Sequence, residues 1–223
     1  MKLAPISKLE AARYMGVQGQ PDRQIMELLE RAEPIIRENI IPKYVYRETA
    51  LQIDDDGVHA EGMSVVFAGR DIKKHLSGCD RIVVMAATLT TDSDKMIRQA
   101  AVTGGMADSL AMDCLCSAAI EQVCDRAEEE IFSVIKAPYR TWRFSPGYGD
   151  FPLETQKDIL HFLNASRRIG VTVTENHLLI PTKSVTAVIG ISDSFLSRGA
   201  TGCSSCNMRE KCAFSGKGGC GKL

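Results

Sequence analysis

Nowhere does the chain hold an unbroken apolar run of the roughly eighteen residues that a membrane-spanning helix needs. Its opening, MKLAPISKLEAARYMG, lacks the apolar stretch of a secretory signal peptide. It also lacks an excess of either charge: 27 Lys and Arg stand against 28 Asp and Glu, a net −1. That balance excludes broad electrostatic binding to nucleic acid or to anionic lipid. No internal repeat is visible. The paired C-x2-C spacing of a zinc ribbon is missing, and His59, His75, His161 and His177 are scattered without ligand spacing, so they read as ordinary. These absences lead us to expect a cytoplasmic protein with reduced thiols and no nucleic-acid or membrane partner.

What is present suits an ordinary soluble protein. The 223 residues are 44% hydrophobic and 25% charged, enough for one large core or two small ones. Apolar residues at 25, 28, 29, 32, 35 and 36 give residues 22–39 helical spacing, and Pro34 is expected to kink or end that helix. Residues 44–53 read as a strand, 54–57 (DDDG) as a turn and 63–69 as its hairpin partner. The run RIVVMAATL (81–89) has the composition of a central strand. Helices are expected at 92–101, with Asp92 or Ser93 as N-cap, at 106–136, and at 153–169 up to Gly170. Strands are expected at 171–175, 178–181 and 184–191. Because strands and helices come in batches, the pattern predicts an α+β fold with a mixed or antiparallel twisted sheet and flanking helices. A main domain over 1–196 is followed by a short Cys-rich C-terminal tail over 197–223.

The stretch RFSPGYGDFPLETQ (143–156) fits no helix or strand pattern. Pro146 and Pro152 fix φ and remove two donors, while Gly147 and Gly149 permit tight turns. Arg143 brings a donor fork that matches a carboxylate, and Tyr148 brings a flat ring with a hydroxyl tip. Such a loop suits a small ligand with a carboxylate and a ring. Composition alone favours a Pro/Gly-rich turn tied down by an arginine. Glu121 raises a similar choice. On a helical wheel it lies between Leu110 and Cys114, near Ser117, Ala118 and Cys124, so its carboxylate needs either a core arginine or a ligand.

Of eight cysteines, Cys79, Cys114, Cys116 and Cys124 sit in or beside apolar segments and read as core residues. The other four, Cys203-x2-Cys206-x5-Cys212-x7-Cys220, lie in a tail poor in apolar residues and rich in glycine. Thiolates in this arrangement can hold an iron–sulfur cluster or zinc, or form a mobile thiol tail.

The loop, followed by GVTVTENHLLIPTKSVTAVIG (170–190), resembles the activation domain of cobalamin-dependent methionine synthase. In that family an Arg-x-Ala-Pro-Gly-Tyr loop precedes a helix and then a Thr-Glu-Ser…Pro…Ser-Val segment. Arg143, Pro146, Gly147 and Tyr148 match the loop, with Ser145 in place of its alanine; Thr174, Glu175, Pro181, Ser184 and Val185 match the second segment. RYMG (13–16) and the helix of Glu121 are also similar, and the likeness spans most of residues 7–195.

The resemblance implies that 1–196 binds S-adenosylmethionine and that the methyl group goes to a cobalamin after one-electron reduction of inactive cob(II)alamin. It implies that Arg143 grips the ligand's carboxylate, Tyr148 packs near its sulfonium and adenosine, the backbone of Ser145 and Gly147 meets the adenine, and Glu121 faces the ammonium. The family's N-terminal acidic contact has no clear counterpart; Asp54, Asp55 and Asp56 read as a turn. The sequence has no Asp-x-His-x-x-Gly cobalamin motif, so a separate subunit is expected, acting on cobalamin held by a methionine synthase or another corrinoid protein. The tail, foreign to the fused domain, suggests that the protein brings its own electron carrier, with an electron-donor protein as a further partner. The remaining alternatives are an activator of another corrinoid methyltransferase, or a non-catalytic regulatory protein that binds S-adenosylmethionine and carries a zinc tail.

Overall fold

Along the computed structural model, which describes residues 1–194 and Leu196, the elements run α1 (Lys8–Tyr14), α2 (Arg23–Asn39), β1 (Lys43–Ile53), β2 (Val58–Ala60), β3 (Val66–Phe67), α3 (Arg70–His75), β4 (Arg81–Thr88), α4 (Thr90–Thr103), α5 (Met106–Val134), β5 (Tyr139–Arg140), α6 (Thr155–Leu163), α7 (Ala165–Ile169), β6 (Thr172–Val173), β7 (Leu179–Ile180) and β8 (Ser184–Ser192). The fold is α+β: a six-stranded sheet in the order β3-β2-β1-β4-β8-β5, flanking helices, and a separate two-stranded sheet of β6 and β7. Strand β1 pairs with β2, β2 with β3 and β5 with β8, each antiparallel. For β4 and β8, Asp80 N donates to Ile191 O at one end and Leu89 N to Lys183 O at the other, which is also an antiparallel arrangement. As its apolar run predicts, β4 is central, and Ile82 to Ala87 are fully buried.

The chain divides into two compact units. The first comprises Met1–Val45, Ala86–Ser133 and Asn164–Val185; the second comprises Tyr46–Met85, Val134–Leu163 and the chain from Thr186 on. In the first, α5 is the longest element and buries Ala111, Leu115, Ala119, Val123, Ala127 and Ile131. Helix α2 starts on Asp22, whose carboxylate accepts from Ile25 N at 2.8 Å. It runs through Pro34 without ending there. Leu29 and Ala32 before the proline and Ile36 after it are buried on one face, so packing holds both halves although Pro34 donates no helical bond.

Four other local expectations change. The hairpin partner of β1 is β2, which starts directly after the DDDG turn, and residues at 63–65 form no strand; only Val66–Phe67 pairs, and with β2. Gly62 at φ 80 turns the chain between the two strands. Helix α4 begins at Thr90, so Asp92 and Ser93 are inside its first turn: Ser93 Oγ donates to Thr90 O at 2.8 Å and Thr90 Oγ1 to Asp92 at 3.1 Å. The stretch 153–169 is two helices, because Asn164 adopts the left-handed conformation (φ 51, ψ 40) between them, one of the few side chains that tolerates it. The expected strands over 171–175 and 178–181 shrink to two residues each, since Thr174 closes a tight turn between them. Cys79, Cys114, Cys116 and Cys124 are buried and form no disulfide among the described residues, as expected of core residues.

Candidate functional site

The loop starts as an edge strand. Tyr139 pairs with Ser192 and Arg140 with Ile191, and Thr141 N donates to Gly190 O at 2.9 Å. The next pair exchanges both backbone bonds, Phe144 N to Val188 O and Val188 N to Phe144 O, each 2.9 Å. Between these pairs Trp142 and Arg143 stand opposite the single residue Ile189. That is a β-bulge, one surplus residue on one strand, a device that re-aims side chains at sheet edges. Arg143 is therefore a bulge residue, and it is half-buried.

Two turns follow. Tyr148 N donates to Ser145 O at 3.1 Å, with Pro146 and Gly147 (φ 91) at the centre, the residue order that favours a type II turn. Phe151 N then donates to Tyr148 O at 3.0 Å, and Gly147 N to Phe151 O at 2.8 Å. Phe151 is buried at the base of the loop, its ring 5.4 Å from Phe67 and 6.1 Å from Phe144. The result is an exposed tip, Gly147 to Asp150, on an aromatic footing. Tyr148 is 57% exposed.

Asp150 ties the tip to α3. Its carboxylate accepts from Arg70 N at 2.8 Å and Asp71 N at 2.9 Å, and these two backbone bonds hold its pKa below the usual carboxylate range. Packing there is reciprocal. A Cβ on Gly149 would collide with the Asp71 carboxylate, and one on Gly69 would meet Asp150 Oδ1 at 2.7 Å.

Beneath the bulge lies His75. Its Nε2 is 2.9 Å from Trp142 O and 2.8 Å from Thr141 Oγ1, whose oxygen also accepts from Gly190 N at 2.8 Å. Its ring meets Trp142 edge-on at 4.6 Å and stacks on Phe144 at 4.8 Å. A carbonyl can only accept, so Nε2 carries the proton. Nδ1 is buried with no hydrogen-bond partner among the described residues. Desolvation pushes the pKa down to about 4, against a smaller upward effect of the bond to Trp142, so His75 is neutral at pH 7. Gly190 must be glycine, because a Cβ there would meet Cys79 Sγ at 2.5 Å and Leu76 Cδ2 at 2.8 Å.

The structure thus brings Arg143, Ser145, Gly147 and Tyr148 onto one loop of the second unit. Glu121 belongs to the first unit, half-buried on α5. One and two turns before it, Ser117 and Asp113 hold Lys183, with Nζ 2.8 Å from each side-chain oxygen. Asp54 is a turn residue as expected: its carboxylate accepts from Asp56 N, Gly57 N and His59 Nε2, which lowers its pKa. Among the described residues no three His, Cys, Asp or Glu side chains come together as a metal site. Cys203, Cys206, Cys212 and Cys220 lie outside those residues. Reading the sequence as ordinary at His75 missed its place under the loop; the partners are 66 and 67 residues away in the chain and leave no local signal.

The second matched segment is in the first unit. Thr174 closes the β6–β7 turn, with Leu178 N donating to its Oγ1 at 3.0 Å and Thr174 N to Leu178 O at 2.9 Å. Ser184 Oγ donates to Pro181 O at 2.7 Å and lies 2.8 Å from Thr88 Oγ1.

No curated protein sequence matches the chain. The crystal structure of the MetH reactivation domain bound to AdoHcy is similar in fold, with a TM-score of 0.65 over 87% of this chain and 76% of that one, at 13% identity. No helix among the described residues is long and apolar enough to cross a membrane. A family model described as the activation domain of vitamin B12-dependent methionine synthase matches residues 77–194, just over half of the chain and the whole of the bulge and loop. The chain belongs to that family, the activation domains of vitamin B12-dependent methionine synthase.

Proposed function

We propose that this chain binds S-adenosylmethionine on the Arg143–Tyr148 loop and serves the reductive reactivation of a cobalamin held by a methionine synthase module. The observation that carries the reading is the pinned loop inside the family-matched segment: a bulge at Arg143, a Pro–Gly turn, and an exposed tyrosine, all fixed from below. A loop already ordered loses little conformational freedom when it binds. That a MetH reactivation domain of this fold is bound to AdoHcy supports the same class of ligand here.

In this reading the guanidinium of Arg143 takes the ligand's carboxylate bidentately. Tyr148 offers its ring face to the sulfonium and adenosine. Gly147 N already donates to Phe151 O, so Gly147 would meet the adenine through its carbonyl, beside the backbone of Ser145. Glu121 is assigned to the ammonium on the family resemblance and is tested by itself: Glu121→Gln should weaken binding while thermal stability stays near wild type.

S-adenosylmethionine would supply the methyl group, as a cation, to a partner-held cobalamin once its cob(II)alamin form had been reduced by one electron, leaving S-adenosylhomocysteine. This chain's part is to hold the donor with its methyl open to the partner's cobalt. On their spacing in the sequence alone, Cys203, Cys206, Cys212 and Cys220 would hold a single iron–sulfur cluster, which would supply one-electron chemistry. Calorimetric titration with S-adenosylmethionine tests the central reading. Saturable one-site binding is expected; no heat and no protection against thermal unfolding would overturn it.

A further inference from the structure

We infer that His75 is the positioning residue of the loop: it locks the bulge at Trp142–Arg143 and thereby fixes the point from which Arg143 reaches its ligand. The inference rests on the ligand reading above for Arg143, and on geometry alone for the lock.

The geometry is a matter of faces. In a regular strand, residues three apart point to opposite sides of the sheet. Thr141 and Phe144 are three apart, yet Thr141 is paired at Gly190 and Phe144 at Val188, two residues apart on β8 and so on one face. The surplus residue of the bulge makes this so. Both side chains consequently reach the same imidazole, Thr141 through its hydroxyl at 2.8 Å and Phe144 through ring stacking at 4.8 Å. The bulge also turns Trp142 O off the ladder, and a buried carbonyl without a partner is costly. His75 Nε2 meets it at 2.9 Å. One side chain therefore touches the residues on both sides of Arg143. It does so as a neutral donor, since its buried ring has its pKa pushed down to about 4.

His75 is not expected to touch the ligand. Removing it should let the bulge relax or migrate, which moves the base of the Arg143 side chain without altering Arg143 itself. Trp142 is the chain's single tryptophan, so its fluorescence reports on the bulge directly, with or without ligand.

The test compares His75→Phe, which keeps a ring and loses the donor, with His75→Gln, whose amide nitrogen can replace Nε2. His75→Phe should redden Trp142 emission, increase its quenching by acrylamide and weaken S-adenosylmethionine about tenfold, while His75→Gln restores most of both readouts. In an Arg143→Ala background the His75→Phe change should cost no further affinity, because a residue acting through another has nothing left to act on. Should His75→Phe fail to fold, Thr141→Val carries the same comparison by removing only the hydroxyl. Wild-type affinity in a folded His75→Phe or Thr141→Val protein, or an equal loss with and without Arg143, would overturn the inference. If the wild type itself binds no S-adenosylmethionine, the ligand reading falls, and Trp142 fluorescence still decides whether His75 locks the bulge.

Discussion

Two segments carry the family pattern, and they use their polar groups in opposite ways. From Arg143 to Gln156 the chain spends backbone bonds on its own turns and leaves Tyr148 and the loop tip exposed. From Thr174 to Val185 several polar side chains bond within their own unit, while Glu175 stays exposed: Thr174 closes a hairpin, Thr182 bonds the Asp94 carboxylate through its amide and hydroxyl, Lys183 bridges to Asp113 and Ser117, and Ser184 joins Pro181 to Thr88. A shared family motif thus need not mean a shared role. If the first segment presents groups to a ligand, as proposed, and the second keeps its unit in shape, changes in the two should separate affinity from stability.

The largest effect should come from beneath the presenting loop. The pKa of His75 is about 4 in the folded chain against 6.5 for an ordinary histidine. The unfolded chain therefore binds the extra proton first, and stability falls as pH drops from about 6.5 to 4, then levels off. The loss is on the order of 3 kcal/mol from this group. Urea titrations at pH 7 and pH 4 measure it, and His75→Gln should remove this part of the slope. A pH dependence identical in the two proteins would place the proton elsewhere.

Next in size is Arg143→Ala. Losing a bidentate contact to a carboxylate costs about 1.5–3 kcal/mol, so affinity should fall roughly tenfold to a hundredfold with an unchanged melting temperature. Arg143→Lys should recover only part, since an ammonium cannot form the fork. Calorimetry beside thermal denaturation reads both halves, and equal affinity in all three proteins would take Arg143 out of the site.

Ser184→Ala is the counterpart in the second segment. It removes one hydrogen bond and leaves Pro181 O without that donor, a cost of about 1 kcal/mol in stability. Affinity for S-adenosylmethionine should not move. If Ser184→Ala weakened the ligand as much as Arg143→Ala does, the division between presenting and stitching segments would be lost.

The smallest effect on the ligand belongs to the tail. A chain ending at Arg198 should keep its fold and its S-adenosylmethionine affinity, and lose bound metal. Anaerobically prepared full-length protein should carry iron and sulfide, and single Cys→Ser changes at 203, 206, 212 or 220 should bleach it. One equivalent of zinc with no iron would remove the electron-carrier role, because zinc has no redox chemistry.

How much of this the sequence disclosed depends on the range of each interaction. β4 was legible because a strand buried on both faces is apolar at nearly every position, and α5 because its apolar length exceeds any strand. Pro146, Gly147 and Gly149 marked the loop, since proline and glycine act on their own φ. The break at Asn164 had a local sign, an asparagine, but the surrounding apolar spacing continues across it and hides the interruption. The start of α4 at Thr90 was hidden too, because Asp92 and Ser93 are good caps that here serve inside the first turn. The bulge left no trace at all. One surplus residue is defined only against β8, more than forty residues further along, and His75 is recruited from as far in the other direction.

The reciprocal packing at the loop tip has an evolutionary reading. Gly69 leaves room for Asp150, and Gly149 leaves room for Asp71, so each glycine is the space that the other segment's carboxylate occupies. Neither can gain a side chain while the opposite aspartate stays, and Gly149 is further restrained by its φ of 56. Selection should see these four positions as one character. Across homologues they are expected to covary, surviving as two glycines and two aspartates or being replaced as a set.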